Sequence, residues 1–239
     1  MLRLDICSKS VLVAVVLASS ARAAGLSGQI DLVRAAGPAR QNARDASGVV
    51  LWLEPVNGSV DPPPTRARMI QKNKTFTPHI LAISKGTTVD FPNFDPIFHN
   101  AFSNFNGQVF DIGLYPPGKS RSVTFRQPGI VRVFCNIHPN MSAVILVLDT
   151  PYFAVSDRNG RYSIPDVPPG SYKLRVFDER ATPEFLDKLG REVEIGRAGL
   201  QLASLQIKET AYIPLPHLNK FGKPYPPGSG ADSAYSLSQ

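Results

Sequence analysis

Proline and glycine punctuation constrains this chain most. Between residues 66 and 150, Lys85-Gly86, Asn106-Gly107, Pro116-Pro117-Gly118 and Pro128-Gly129 break the sequence into short runs. Those runs, at 68–71, 79–83, 87–91, 98–102, 120–125, 130–134 and 143–148, are rich in β-branched and aromatic residues. No 3.6-residue periodicity competes there, and short strands at such regular spacing predict a sandwich or barrel. The 22 Pro and 18 Gly among 239 residues disfavour a helical bundle. With 43% hydrophobic and 19% charged residues, the chain can pack a core and is not disordered throughout.

The first 23 residues read as a secretory leader rather than as part of the fold. Arg3 and Lys9 precede an apolar run at 11–18, and Ala21-Arg22-Ala23 forms a small-x-small cleavage site. The apolar run is too short to cross a bilayer as a helix, and no later stretch is apolar enough. The mature chain is therefore expected to be periplasmic or secreted, with no transmembrane segment. Cleavage lowers the net charge from +7 to +5 and removes Cys7 and Met1. Cys135 is then the only cysteine, beside Met69 and Met141. A lone thiol in an oxidising compartment is inertly buried, paired between chains, or occupied by chemistry.

A second pattern starts at Pro151. Runs at 152–156 and 161–164 flank Asp157-Arg158-Asn159-Gly160, a strong hairpin signal. Pro168-Pro169-Gly170 leads into an alternating strand at 172–177. Thr182 as cap, Pro183 at the first position and Gly190 at the end predict one short helix. Runs at 192–195 and 200–208 follow as closing strands, with a Pro-rich irregular or disordered tail over 211–239.

Chemistry concentrates in Cys135-Asn136-Ile137-His138-Pro139-Asn140-Met141, between two strand candidates, with His99 36 residues before the cysteine. Two imidazoles, one thiolate and a weak axial thioether are the ligand set of a mononuclear blue-copper site. The soft sulfur donors favour Cu(I), while imidazole suits both oxidation states. The plainer alternative is a buried core cysteine with Met141 as ordinary packing. His79 and His217 lack neighbouring ligands and read as surface residues. Phe91, Phe94, Phe98, Phe102, Phe105 and Phe110 read as core and as an apolar shell around the site.

The segment Thr87-Thr88-Val89-Asp90-Phe91-Pro92-Asn93, followed by His99-Asn100, resembles the first-ligand region of cupredoxins. The Cys-x-x-His-x-x-Met spacing, with Pro139 after the histidine, is similar to the short ligand loop of the amicyanin type rather than the longer plastocyanin loop. The resemblance implies a Greek-key β-sandwich over 66–150. It also implies one type 1 copper held by His99, Cys135, His138 and Met141, with His138 at the electron port. It further implies that Asn100 hydrogen-bonds across to the cysteine loop; an ordinary turn asparagine is the alternative.

Residues 152–177 look like the centre of a carboxypeptidase regulatory-like (transthyretin-like) domain. Runs at 28–32 and 48–53 match the first two strands of that family. The favoured organisation is all-β and discontinuous. Residues 24–56 and 151–210 form the smaller transthyretin-like sandwich, and 66–150 form the inserted copper domain. In the competing, sequential arrangement, residues 24–65 supply the first strands of the cupredoxin sheet.

These features suit an exported carrier of single electrons between redox proteins, possible partners being a cytochrome or a periplasmic dehydrogenase. Copper delivery or storage, and a non-redox β-sandwich binding module, are the alternatives. Residues 24–150 carry 12 Lys/Arg against 8 Asp/Glu, including Arg66, Arg68, Lys72 and Lys74. That stretch is either solvated surface or a docking face for an acidic partner. Nucleic acid is a poor partner for an exported chain without a binding motif. No catalytic triad, paired-carboxylate motif, dinucleotide or phosphate loop, or haem-attachment motif is present, and a full ligand set argues against an enzyme.

Overall fold

The computed structural model describes residues 24–34, 45–104, 107–209 and 217–226. The expected leader and the ends of the tail lie outside these residues. In chain order the elements are β1 (Leu26–Arg34), β2 (Val50–Pro55), β3 (Arg66–Arg68), β4 (Ile70–Lys72), β5 (Thr75–Thr77), β6 (Ile80–Ser84), β7 (Thr88–Pro92), β8 (Phe102–Ser103), β9 (Phe110–Asp111) and β10 (Ser120–Thr124). Then come β11 (Gly129–Phe134), β12 (Ser142–Leu148), β13 (Phe153–Val155), β14 (Arg161–Ile164), β15 (Gly170–Phe177), α1 (Pro183–Leu189), β16 (Arg191–Ile195), β17 (Leu200–Gln201) and β18 (Leu205–Glu209). The architecture is all-β with one short helix among the described residues. Thr182 caps that helix through its hydroxyl, and Pro183 occupies its first turn, where a missing N–H costs nothing.

Two sheets, ordered β10-β7-β3 and β6-β12-β11-β8-β9, enclose one core containing Met69, Phe91, Phe125, Val131, Val133 and Ile145. Two others, β13-β2-β15-β16 and β14-β1-β17 with β18 beside β1, enclose a second core containing Leu51, Leu53, Ile164, Leu174 and Ile207. β2 pairs antiparallel with both β13 and β15, with Leu53 opposite Leu174. Among the described residues, β3 to β12 pair only with one another.

A third cluster joins the two sandwiches. Val50 and Phe177, with Trp52 and Phe153, pack against Ile80, Ala82, Val144, Leu146 and Leu148. β12 is therefore covered on both faces. Ala143, Ile145 and Val147 point into one core, and Val144, Leu146 and Leu148 point into the seam. That double burial explains its unbroken apolar run, whereas β11, covered on one face, alternates.

Several strand expectations shift. The run at 98–102 forms a strand only at Phe102–Ser103, because residues 93–98 are organised as a loop. Its ties are Asn93 Nδ2 donating to the Ile97 carbonyl at 2.8 Å and Asp95 N–H donating to Asn93 Oδ1 at 3.0 Å. The run at 68–71 divides at Met69 into β3 and β4, which lie in different sheets. The run at 200–208 divides into β17 and β18, both beside β1.

Candidate metal centre

The β11–β12 ladder runs to Phe134 opposite Ser142, which fixes both ends of the connection at 135–141. Cys135 N–H donates to the Met141 carbonyl at 3.1 Å, and Met141 N–H to the His138 carbonyl at 3.0 Å. The resulting loop turns the Cys135 thiol and the His138 imidazole toward His99, which the 93–101 loop supplies. Cys135 and His99 are fully buried, and Met141 is buried in the same core cluster as Cys135.

Cys135 Sγ lies 3.8 Å from His99 Nδ1 and 3.5 Å from His138 Nδ1. The three donor atoms all fall within 4.8 Å of one another. Metal–nitrogen and metal–sulfur bonds are about 2.0–2.3 Å, so donors around one ion stand roughly 3.3–3.8 Å apart. The observed spacing suits an ion shared by all three.

The protonation pattern agrees. Asp95 Oδ2 accepts from His99 Nε2 at 2.7 Å, which assigns the proton to Nε2 and turns the Nδ1 lone pair toward the sulfur. Burial opposes the charge of Asp95. The backbone N–H groups of Lys74 (2.8 Å) and Asn73 (2.6 Å), together with His99, nevertheless hold its carboxyl below the usual range. Burial also lowers His99 against the pull of Asp95. Burial, with repulsion from His99, pushes His138 down to about 4. Both rings are thus neutral near pH 7, the form that can donate a lone pair to a metal ion. Burial raises the Cys135 thiol, while backbone N–H groups of Ile137, Asn100 and His138 favour its thiolate. A bound cation would displace that proton.

Asn100 joins the two loops. Its Oδ1 accepts from Asn136 N–H at 3.2 Å, and its Nδ2 donates to Asp111 Oδ1 at 2.7 Å. Tyr115 lies beneath, fully buried, with its hydroxyl donating to the Phe91 carbonyl at 2.8 Å and accepting from Gln71 Nε2.

Other expectations require correction. His217 is not a surface residue: its ring stacks on Phe134 with centroids 4.4 Å apart, and burial lowers its pKa. His79 is exposed at the surface, as expected, and is paired there: its Nε2 meets Glu179 Oε1 at 2.6 Å and its Nδ1 meets the Ser142 carbonyl at 3.1 Å. Phe94 and Phe98 are exposed rather than core, while Phe91 and Phe102 are buried and Phe105 lies outside the described residues. Of the basic stretch, Arg66 is paired with Asp90 at 2.6 Å. Sequence reasoning missed Asp95. Its spacing of four before His99 was visible, but only the loop's fold turns that spacing into a contact. It also missed Lys220 and Tyr225, whose Pro- and Gly-rich surroundings carry no periodic signal.

Fold and cluster together define an all-β protein of two packed sandwiches, one holding a His–Cys–His group, with His99 and Cys135 buried, suited to a metal ion. No protein-family profile and no curated protein matches the chain. Among solved structures it is similar to a purple cupredoxin from Nitrosopumilus maritimus at 28% identity, covering 34% of this chain and 99% of that one, with a TM-score of 0.32. It is also similar to an amicyanin variant at 19% identity, covering 34% and 81%, with a TM-score of 0.33. A copper-containing nitrite reductase from Thermus scotoductus SA-01 matches at 25% identity over 50% of this chain and 28% of that one, with a TM-score of 0.34.

Proposed function

We propose that this chain is an exported type 1 copper protein that carries single electrons between redox partners and catalyses no reaction of its own. The observation that carries the reading is the triad itself: Sγ within 3.8 Å of two imidazole Nδ1 atoms, one of them fixed by Asp95. His99, Cys135 and His138 would be the strong ligands and Met141 the weak axial one. Soft thiolate and thioether donors favour copper over zinc. Copper would supply a one-electron couple. The protein's part is to hold the donors in one geometry for both oxidation states and to keep water away. Buried His99, Cys135 and Met141 do this, leaving the half-buried His138 as the edge nearest a partner.

Adding Cu(II) to the purified protein tests this reading. The expected result is an intense visible thiolate-to-copper band with an electron paramagnetic resonance signal of low hyperfine splitting. A colourless complex with a purely tetragonal signal overturns it. Copper delivery would call for exposed sulfur ligands, whereas Met69 and Met141 are both buried.

The pairing of β2 with β13 and β15, and of β1 with β14, supports a discontinuous transthyretin-like sandwich into which 66–150 are inserted. The partner we propose is an acidic redox protein met on the copper-bearing half, where exposed Arg68 and Lys72 lie on β3 and β4.

A further inference from the structure

We propose that residues 217–226 form a strap that is a working part of the metal centre: it fixes the backbone from Phe134 to Asn136 and thereby the position of the Cys135 sulfur. This rests on the reading of His99, Cys135 and His138 as metal ligands. Three consecutive residues are each held by the strap in a different way. The His217 ring stacks on Phe134, with centroids 4.4 Å apart and planes 30° apart. The Tyr225 hydroxyl donates to the Cys135 carbonyl at 2.8 Å. Lys220 N–H donates to Asn136 Oδ1 at 2.9 Å.

The last contact closes a ring of hydrogen bonds that also includes the first-ligand loop. Asn136 N–H donates to Asn100 Oδ1, Asn100 Nδ2 to Asp111 Oδ1, and Lys220 Nζ to Asp111 Oδ2 at 2.7 Å, before the Lys220 backbone returns to Asn136. Asn100 follows His99 and Asn136 follows Cys135, so the strap ties together the backbones that present two of the three donors. His217 also meets Phe102 and Tyr225 edge-on, at 6.2 and 5.3 Å.

The strap has no regular secondary structure, yet its shape is set locally. Asn219 Oδ1 accepts from Phe221 N–H at 2.9 Å and Lys223 N–H at 3.1 Å. The Asn219 backbone exchanges bonds with Lys223 and Gly222, and Gly222 adopts the positive φ of 71° that this turn requires. A preformed turn loses little further entropy on docking, which suits an element that must hold neighbouring groups still. Outer groups that orient a ligand change metal affinity by about 10–100-fold when lost.

The test uses full-length protein and two readouts. In the metal-free protein, Cys135 is challenged with an aromatic disulfide reagent under native conditions. Tyr225→Phe with His217→Leu should speed thiol modification by roughly tenfold, the scale of losing one hydrogen bond and a ring contact. In the Cu(II) form, the same pair should shift the thiolate-to-copper band and speed copper release. Lys220→Met, which keeps the backbone donor, should act in the same direction but less, and it serves if the double variant does not fold. Val193→Ala, in the other sandwich, controls for general destabilisation and should leave both readouts unchanged at a comparable loss of melting temperature. Variants that match the parent in thiol rate, band and release overturn the strap's role and reduce it to surface packing. If the parent itself gives no thiolate band, the copper reading fails while the thiol rates still decide the strap.

Discussion

The two sandwiches bury comparable apolar cores but differ in the polar groups they bury. The sandwich built on β1, β2 and β13–β18 is mostly apolar inside. Its buried Ser156 and Asp178 are used locally: Ser156 binds Val49 and Ala46, and Asp178 binds Arg180. The sandwich with the His–Cys–His group buries Gln71, Asn93, Asp95, His99, Asn100 and Ser103 around a single loop pair. Burying polar groups is costly unless each is hydrogen-bonded, so a concentration of them in one of two otherwise similar sandwiches marks where function is held. Asp95 shows the contrast best, because three donors, Asn73 N–H, Lys74 N–H and His99 Nε2, converge on a carboxylate that orients one imidazole.

The comparison is broken most severely by removing the sulfur. Cys135→Ser should abolish the visible copper band completely while far-ultraviolet circular dichroism stays that of the parent. Retained colour would mean that the thiolate is not the chromophore. Next comes a matched pair of acids. Asp95→Asn should weaken copper binding by about 10–100-fold and lower stability by roughly 1–3 kcal/mol through lost bonds to buried donors. Asp178→Asn should leave copper titrations unchanged, and equal effects on both would erase the distinction between the sandwiches. Met141→Leu is nearly volume-conserving and should cost less than about 1.5 kcal/mol. It should keep the band but raise the reduction potential, since a donor to Cu(II) is lost.

Smaller effects follow from pH. His138, lowered by burial to about 4, and His99, lowered likewise, bind protons more readily in the unfolded chain. The metal-free protein should therefore lose stability as pH falls from about 6.5 toward 4, measured by thermal melts. His79 acts in the opposite sense, because its bond to Glu179 raises its pKa. Its contribution is complete below the unfolded value of about 6.5 and disappears as pH rises through the folded value. His79→Gln should flatten that upper limb in thermal melts. The smallest effect should come from reversing Arg68 and Lys72 to Glu. Association with an acidic redox partner should slow severalfold at low ionic strength and hardly at all at high salt, with the copper spectrum intact. Arg66 adds little to such steering, being paired with Asp90.

Local rules made much of this chain legible. Turn dipeptides placed β7, β10, β11 and β12 to within a residue or so, and the cap and first-turn proline placed α1. Cys135 and His138 were readable as neighbours because a single tight loop holds them within four residues. His99 was readable because a second local pattern, Asp90-Phe91-Pro92-Asn93 before His99-Asn100, accompanied it.

What only the tertiary structure decided depends on contacts between distant residues. Lys220 reaches Asp111 across 109 positions, Tyr225 reaches Cys135 across 90, and His79 meets Glu179 across 100. Such contacts leave no periodicity in the sequence, since each is one side chain meeting one group rather than a repeated face. Composition then misleads: a Pro- and Gly-rich segment reads as loose chain, although the same residues supply the turn that seats His217, Lys220 and Tyr225. The seam is the intermediate case. The uninterrupted apolar run of β12 fits its burial on both faces, but which strands cover the second face was decided when β2 and β15 packed against β6 and β12.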